Sequence, residues 1–163
     1  MQYQILPIEE MHIEGFRQAL DEVARERAYL AFLEAPAIDK TRTYVFEQIE
    51  KKAPHFVAIV NGSVVGWCDI SPLDRPVYAH TGVLGMGVIA EYRGHGIGKA
   101  LLQVALEKAK TQELTRIELD VREENHRAIE LYKRFGFKIE GLKQNATRID
   151  GIYSNDYIMA LIF

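Results

Sequence analysis

Arg93-Gly94-His95-Gly96-Ile97-Gly98 stands between an apolar, glycine-rich segment, Gly82-Val83-Leu84-Gly85-Met86-Gly87-Val88-Ile89, and a run of strong helix formers from Lys99 to Lys110. The order reads as strand, loop, helix. A glycine-spaced loop opening a helix leaves several backbone N–H groups unpaired and converging, where the helix dipole adds about half a positive charge. Such a loop suits a phosphate or pyrophosphate. Its glycines admit the anion without Cβ collisions, and Arg93 offers a charge-assisted donor at the entrance. A loop kept glycine-rich only for packing is the competing reading. Two other phosphate loops fail on spacing. The Walker pattern needs Lys-Ser/Thr after its last glycine, and here Lys99-Ala100 follows. The dinucleotide fingerprint needs one more residue before its third glycine, so Glu118 or Asp120 as a ribose-binding acid is a weak match.

Working outward, 163 residues make one domain with room for a hydrophobic core. With 48% apolar and 26% charged residues, the composition is that of an ordinary globular protein. A net charge of −3 argues against a general nucleic-acid partner. No apolar run approaches the roughly eighteen residues that cross a bilayer. Met1-Gln2-Tyr3-Gln4 lacks the basic-then-apolar layout of a secretory signal. The lone Cys68 fits a reducing cytoplasm and reads as a buried filler within a strand. No His/Cys/carboxylate cluster has zinc spacing, and His12, His55, His80 and His126 are scattered, so no metal is expected.

Residues 2–6 read as a first strand. A helical pattern runs from about Ile8 to Leu33, with Phe16, Leu20, Val23 and Ala24 on one face, until Pro36 breaks it. A second helix follows from about Asp39, a candidate N-cap, to Lys52, with Tyr44, Val45 and Ile49 inward. Asn61-Gly62 joins residues 55–60 and 63–70 as a type I′ hairpin. After a loop over 71–80 come the strand ending near Val88, the glycine loop and its helix, whose polar stripe is Lys99, Gln103, Glu107 and Lys110. Residues 116–122 alternate as a strand. A helix spans about His126 to Phe135, stopped by Gly136. Strands from 137 to about 148 and from 152 to 163 meet at Asp150-Gly151. This order predicts an α/β fold, a mixed sheet with helices on both faces.

The second half carries a further pattern, Asn125, Ala128, Leu131, Tyr132, Phe135, Gly136 and Phe137, or N-x-x-A-x-x-L-Y-x-x-F-G-F. Together with the glycine loop and Met86-Gly87-Val88, it resembles the GNAT superfamily of acyl-CoA-dependent N-acetyltransferases. The closing segment from Arg148 to Met159 is similar to branches that acetylate amino acids, small amines or protein N-termini. The resemblance covers the chain from about Phe56 onward. Ala90 departs from the proline often found there, which bears on loop stiffness.

The resemblance implies a single GNAT domain over residues 1–163, with a mostly antiparallel sheet and one splayed parallel pair. It implies acetyl-CoA as co-substrate. The backbone N–H groups of Arg93, Gly94, His95, Gly96, Ile97, Gly98 and Lys99 would hold the pyrophosphate. The backbone of Met86, Gly87 and Val88 would pair with the pantetheine arm like an added strand. Gly85 and Gly87 either mark a bulge that splays the strand or ease packing under Trp67. Asn125 is an expected N-cap and, by resemblance, lines the pantetheine channel with Ala128. Tyr132 is either a core residue or the acid that protonates the leaving thiolate. A phenol with a reference pKa of about 10 can serve as that acid.

The general base is not named by the motifs. Glu26, Asp69, Glu91 and Asp120 are candidates by type, and the resemblance, in which the acceptor site lies beside the N-terminal helices, singles out Glu26 with Tyr29. The expected acceptor is a small-molecule amine or amino acid; a protein N-terminus or lysine is the nearest alternative, and a non-catalytic acyl-CoA-binding module a different class. The apolar end of residues 152–163 reads as an exposed sheet edge, hence an expected homodimer through the C-terminal hairpin.

Overall fold

The computed structural model describes all 163 residues. In chain order the elements are β1 (Gln4–Pro7), α1 (Ile13–Arg25), α2 (Ile38–Glu50), β2 (His55–Val60), β3 (Ser63–Pro72), β4 (Thr81–Val88), α3 (Ile97–Lys110), β5 (Arg116–Arg122), α4 (His126–Arg134), β6 (Lys138–Ile149) and β7 (Ile152–Ile162). The strands order as β1-β2-β3-β4-β5-β7-β6 in a seven-stranded sheet. The β4–β5 pair is parallel, whereas β1–β2, β2–β3, β5–β7 and β6–β7 are antiparallel. The chain divides into two compact units, Met1–Ser71 with Leu84–Glu113, and Pro72–Val83 with Leu114–Phe163. No helix is long and apolar enough to cross a membrane.

In the first unit, Asn61 and Gly62 take φ of 49° and 78°, the positive values a type I′ turn requires. The hairpin they close pairs His55 with Asp69 and Val57 with Trp67. Phe16 of α1 meets this face edge-on, 4.8 Å from the His55 ring and 5.8 Å from Trp67. Side chains alternate along a strand, so Gly66 and Cys68 point the other way. A Cβ on Gly66 would lie 3.3 Å from Leu101 of α3. Helices therefore cover both faces. Leu101, Leu102 and Ala105 are fully buried, each leucine contributing about 1.5–3 kcal/mol. Cys68 is also fully buried, and burial pushes its thiol well above the usual range.

Gly87 answers to Trp67. A Cβ there would sit 2.9 Å from both Cζ2 and Cζ3 of the indole, which is itself only 3% exposed and cannot retreat. Gly87→Ala is expected to cost about 1–3 kcal/mol by overpacking. Its denaturation midpoint should fall at unchanged m-value. A midpoint equal to that of the native protein would show that the indole moves freely.

Two helix readings need correction. The first helix ends at Arg25, not near Leu33, and Arg27 takes φ 59°. The following loop is tied back onto α1, with Ala35 N–H donating to Asp21 Oδ1 at 2.8 Å and Arg17 Nε to the Pro36 carbonyl at 2.7 Å. These contacts override the helix propensity of residues 28–33. The second helix starts at Ile38 with Ala37 as an N-cap that makes no side-chain bond. Asp39 lies in its first turn, where a carboxylate complements the dipole. The inward stripe is Thr41, Val45 and Gln48, while Ile49 is 40% exposed.

In the second unit, β5 pairs in parallel with β4 over Thr81–Val83 and antiparallel with β7 along its whole length. Asp150 and Gly151, at φ 52° and 78°, turn β6 into β7. The expectation that residues 152–163 form a sheet edge is not met: β7 lies between β5 and β6, with Met159 and Ala160 buried. The edge is β6, whose Lys138, Glu140, Lys143 and Arg148 discourage strand addition. Asn125 caps α4, its Oδ1 accepting from Ala128 N–H at 3.2 Å, and Gly136 at φ 96° ends it.

Candidate active site

The glycine loop belongs to the first unit. Gly94 and Gly96 take φ of 82° and 83°, and Gly96 is the N-cap of α3 without a side-chain cap. The helix ladder begins with Ala100 N–H donating to the Gly96 carbonyl at 3.0 Å. The N–H groups of Ile97, Gly98 and Lys99 therefore have no acceptor within the helix. Gly94, His95, Gly96 and Lys99 are exposed, and a Cβ on Gly96 would stand 3.7 Å from the Tyr3 hydroxyl. Unclaimed donors, a positive dipole end and bare backbone fit a pyrophosphate.

Arg93 is engaged inside the protein. Its Nε donates to the Val88 carbonyl at 2.8 Å, and its two terminal nitrogens donate to the Glu26 carboxylate at 3.2 and 2.5 Å. Its guanidinium also lies over the Tyr29 ring, 5.0 Å from the centroid. Glu26 and Tyr29 are thus brought together on Arg93, just beyond α1. The Arg93 fork braces the end of β4 against this segment, a role that the loop pattern alone does not disclose.

A second polar group lies beneath α2. The Tyr44 hydroxyl donates to Asp69 Oδ2 in a very short hydrogen bond and lies 2.9 Å from Ser71 Oγ. Gln48 Nε2 donates to the Tyr44 oxygen at 3.2 Å and to Ser71 at 3.3 Å. Burial pushes the Asp69 carboxyl up to about 6, against the lowering effect of the Tyr44 hydrogen bond. Burial and the adjacent Asp69 raise the Tyr44 phenol well above its ordinary value. His55, the cross-strand partner of Asp69, is pushed down to about 3 by burial, and neither ring nitrogen has a hydrogen-bond partner. Only Asp69 of this group was among the sequence candidates. The available signal was polar Tyr44 and Gln48, four residues apart on a helix that packs on a strand carrying Asp69 and Ser71.

The second unit carries Asn125, Ala128 and Tyr132. Asn125 is used as the N-cap. Tyr132 is 7% exposed, and its ring lies 5.6 Å from Phe137. Asp120 pairs with Lys143 Nζ at 2.7 Å, whereas Glu91 of the first unit is exposed. No group of three or more His, Cys, Asp or Glu side chains is placed to share a metal ion.

A strand whose last carbonyl is braced by Arg93, a glycine loop and a helix with N-terminal donors unclaimed inside it together form a cradle that suits a pyrophosphate-bearing ligand. Residues 17–137 match the model of the acetyltransferase (GNAT) family, and the chain belongs to that family. It is 34% identical over 107 residues to the L-amino acid N-acetyltransferase AaaT of Escherichia coli, covering 65% of this chain and 66% of that protein. It is 36% identical over 98 residues to the N-alpha-acetyltransferase RimI of Mycobacterium tuberculosis, covering 60% of each. The chain thus spans just under two-thirds of the length of these relatives. The fold is shared with yncA from Salmonella typhimurium, solved with its cofactor acetyl-CoA, at a TM-score of 0.92 and 16% identity over 98% of this chain and 93% of that one.

Proposed function

We propose that the protein transfers the acetyl group of acetyl-CoA to the primary amine of a small molecule or amino acid, by direct attack of the amine. The observation that carries this is the uncapped α3 N-terminus behind Gly94 and Gly96, in a chain of the GNAT family. In this reading the loop from Arg93 to Lys99 holds the pyrophosphate. Met86, Gly87 and Val88 pair with the pantetheine arm, and Asn125 and Ala128 line its path. Tyr132 returns a proton to the departing thiolate, and Glu26 and Tyr29 stand on the acceptor side. Acetyl-CoA supplies an activated acyl carbon and a thiolate leaving group. Amine attack on a thioester needs only proton transfers, so the reading calls for no metal.

The likeness to AaaT favours an amino acid acceptor, and the likeness to RimI supports a protein N-terminus as the alternative. The test is acetyl-CoA turnover against amino acids, polyamines, aminoglycosides and short peptides, reading free thiol. Thiol release with a free amino acid or small amine is the expected result. Release with peptides alone would favour the alternative. CoA binding without release for any acceptor would make the protein a binding module.

The reading places the enzyme in the cytoplasm, as a homodimer. Leu142, Ile152 and Tyr153 of the C-terminal hairpin are 42%, 71% and 52% exposed and supply an apolar contact surface. Light scattering should return twice the 18.6 kDa subunit mass. A single subunit's mass across a broad concentration range would remove the dimer.

A further inference from the structure

Asp69 is a carboxyl on β3, which lies inside the sheet between β2 and β4, and only 9% of it is exposed. The groups facing it are Tyr44 and Gln48 from α2, His55 from β2, Ser71 from β3, and Gly85 from β4. None is a cation, since burial keeps His55 neutral. An ionised carboxylate without a counter-ion is costly in such a place, and the Tyr44 hydrogen bond offsets only part of that cost.

Two features connect this group with the surface. A Cβ on Gly85 would lie 3.1 Å from Asp69 Oδ1, yet Gly85 itself is exposed. The strand surface beside the carboxylate is therefore bare backbone open to solvent. Tyr44, whose hydroxyl touches Asp69, is itself only half-buried on α2.

We propose that Tyr44 and Asp69 form the proton-accepting pair for the amine substrate, whose ammonium docks over Gly85 against the Tyr44 hydroxyl. This rests on the acetyl-transfer reading above. Tyr44 is the contacting residue and Asp69 acts through it. One ammonium proton passes to the Tyr44 oxygen as the Tyr44 hydroxyl proton passes to the Asp69 carboxylate. An ammonium and a carboxylate become a neutral amine and a neutral acid. The amine attacks the thioester carbonyl and its C–S bond breaks. The second N–H proton goes to the thiolate, and Asp69 returns its proton through Tyr44 to water once the product leaves. Gly85 directly precedes Met86, so the amine would lie beside the strand segment proposed to hold the pantetheine arm. A carboxyl near 6 is ionised at neutral pH and close enough to it to take a proton effectively. One buried negative charge without a cationic partner selects a primary ammonium over acidic or neutral acceptors.

The test compares native protein, Asp69→Asn and Tyr44→Phe by kcat/KM from pH 5 to 10, with CoA affinity measured by calorimetry. The variants should bind CoA normally and lose about a hundredfold in kcat/KM at pH 7. They should also lose the acidic limb near pH 6 and regain rate as pH approaches the amine's own pKa, where no base is needed. That recovery is what a merely structural carboxylate would not produce. Variants that bind CoA and keep their rate within about threefold, or lose it by a pH-independent factor, would overturn the proposal. If Asp69→Asn fails to fold, Tyr44→Phe, which keeps the ring beside His55, carries the same comparison. A native protein that acetylates nothing defeats the parent reading, and this one with it.

Discussion

Tyr132→Phe should fold, bind CoA with native affinity and turn over about a hundredfold more slowly, the usual loss when a general acid is removed. The substitution deletes one oxygen and keeps the ring that packs 5.6 Å from Phe137 in the second unit. Its residue is 7% exposed, so an ordinary core tyrosine is the rival explanation, and the two differ in what they disturb. Loss of a buried hydrogen bond alone would lower stability by about 1 kcal/mol and leave the rate intact. Loss of the acid would lower kcat with little change in melting temperature. Kinetics and thermal denaturation on the same preparation decide between them, and a stable variant with native kcat would return Tyr132 to the core.

Gly96→Asp is expected to weaken CoA binding about ten- to a hundredfold while leaving the fold in place. Gly96 is the N-cap of α3 at φ 83°. Aspartate tolerates the left-handed region better than most residues. Its carboxylate would place a negative charge beside the first-turn N–H groups that the pyrophosphate needs and would repel the ligand's phosphates. A charge-assisted bond lost there is worth about 1.5–3 kcal/mol. Gly96→Ala, which adds a Cβ without a negative charge, should lose less. Calorimetry that finds unchanged CoA affinity in folded Gly96→Asp would place the phosphate site elsewhere.

The parts of this fold that were legible in the sequence are those fixed by local chemistry. Asn61-Gly62 and Asp150-Gly151 announce turns because few residues accept positive φ, and both pairs take it. Gly94 and Gly96 announce their loop for the same reason. The end of α1 was illegible because the residues that decide it are distant. Glu26 meets Arg93 across 67 positions, while the neighbouring Ala28, Leu30 and Ala31 favour helix. Strand order was hidden too, since an apolar β7 reads alike at an edge or in the interior. The Asp69 group stayed unassembled because Tyr44, Gln48 and Ser71 gain meaning only when α2 lies on β3.

The order β5-β7-β6 has a consequence for synthesis. A ribosome delivers β5, α4 and β6 before β7, the strand that must enter between them. Until β7 emerges, β5 keeps a long flank of unsatisfied backbone groups on the side that β7 will fill, and β6 has no partner. The second unit therefore cannot close progressively behind the growing chain; it waits for its innermost strand. Such a waiting state exposes strand edges, and chaperone dependence during translation should concentrate in the interval between β5 and β7.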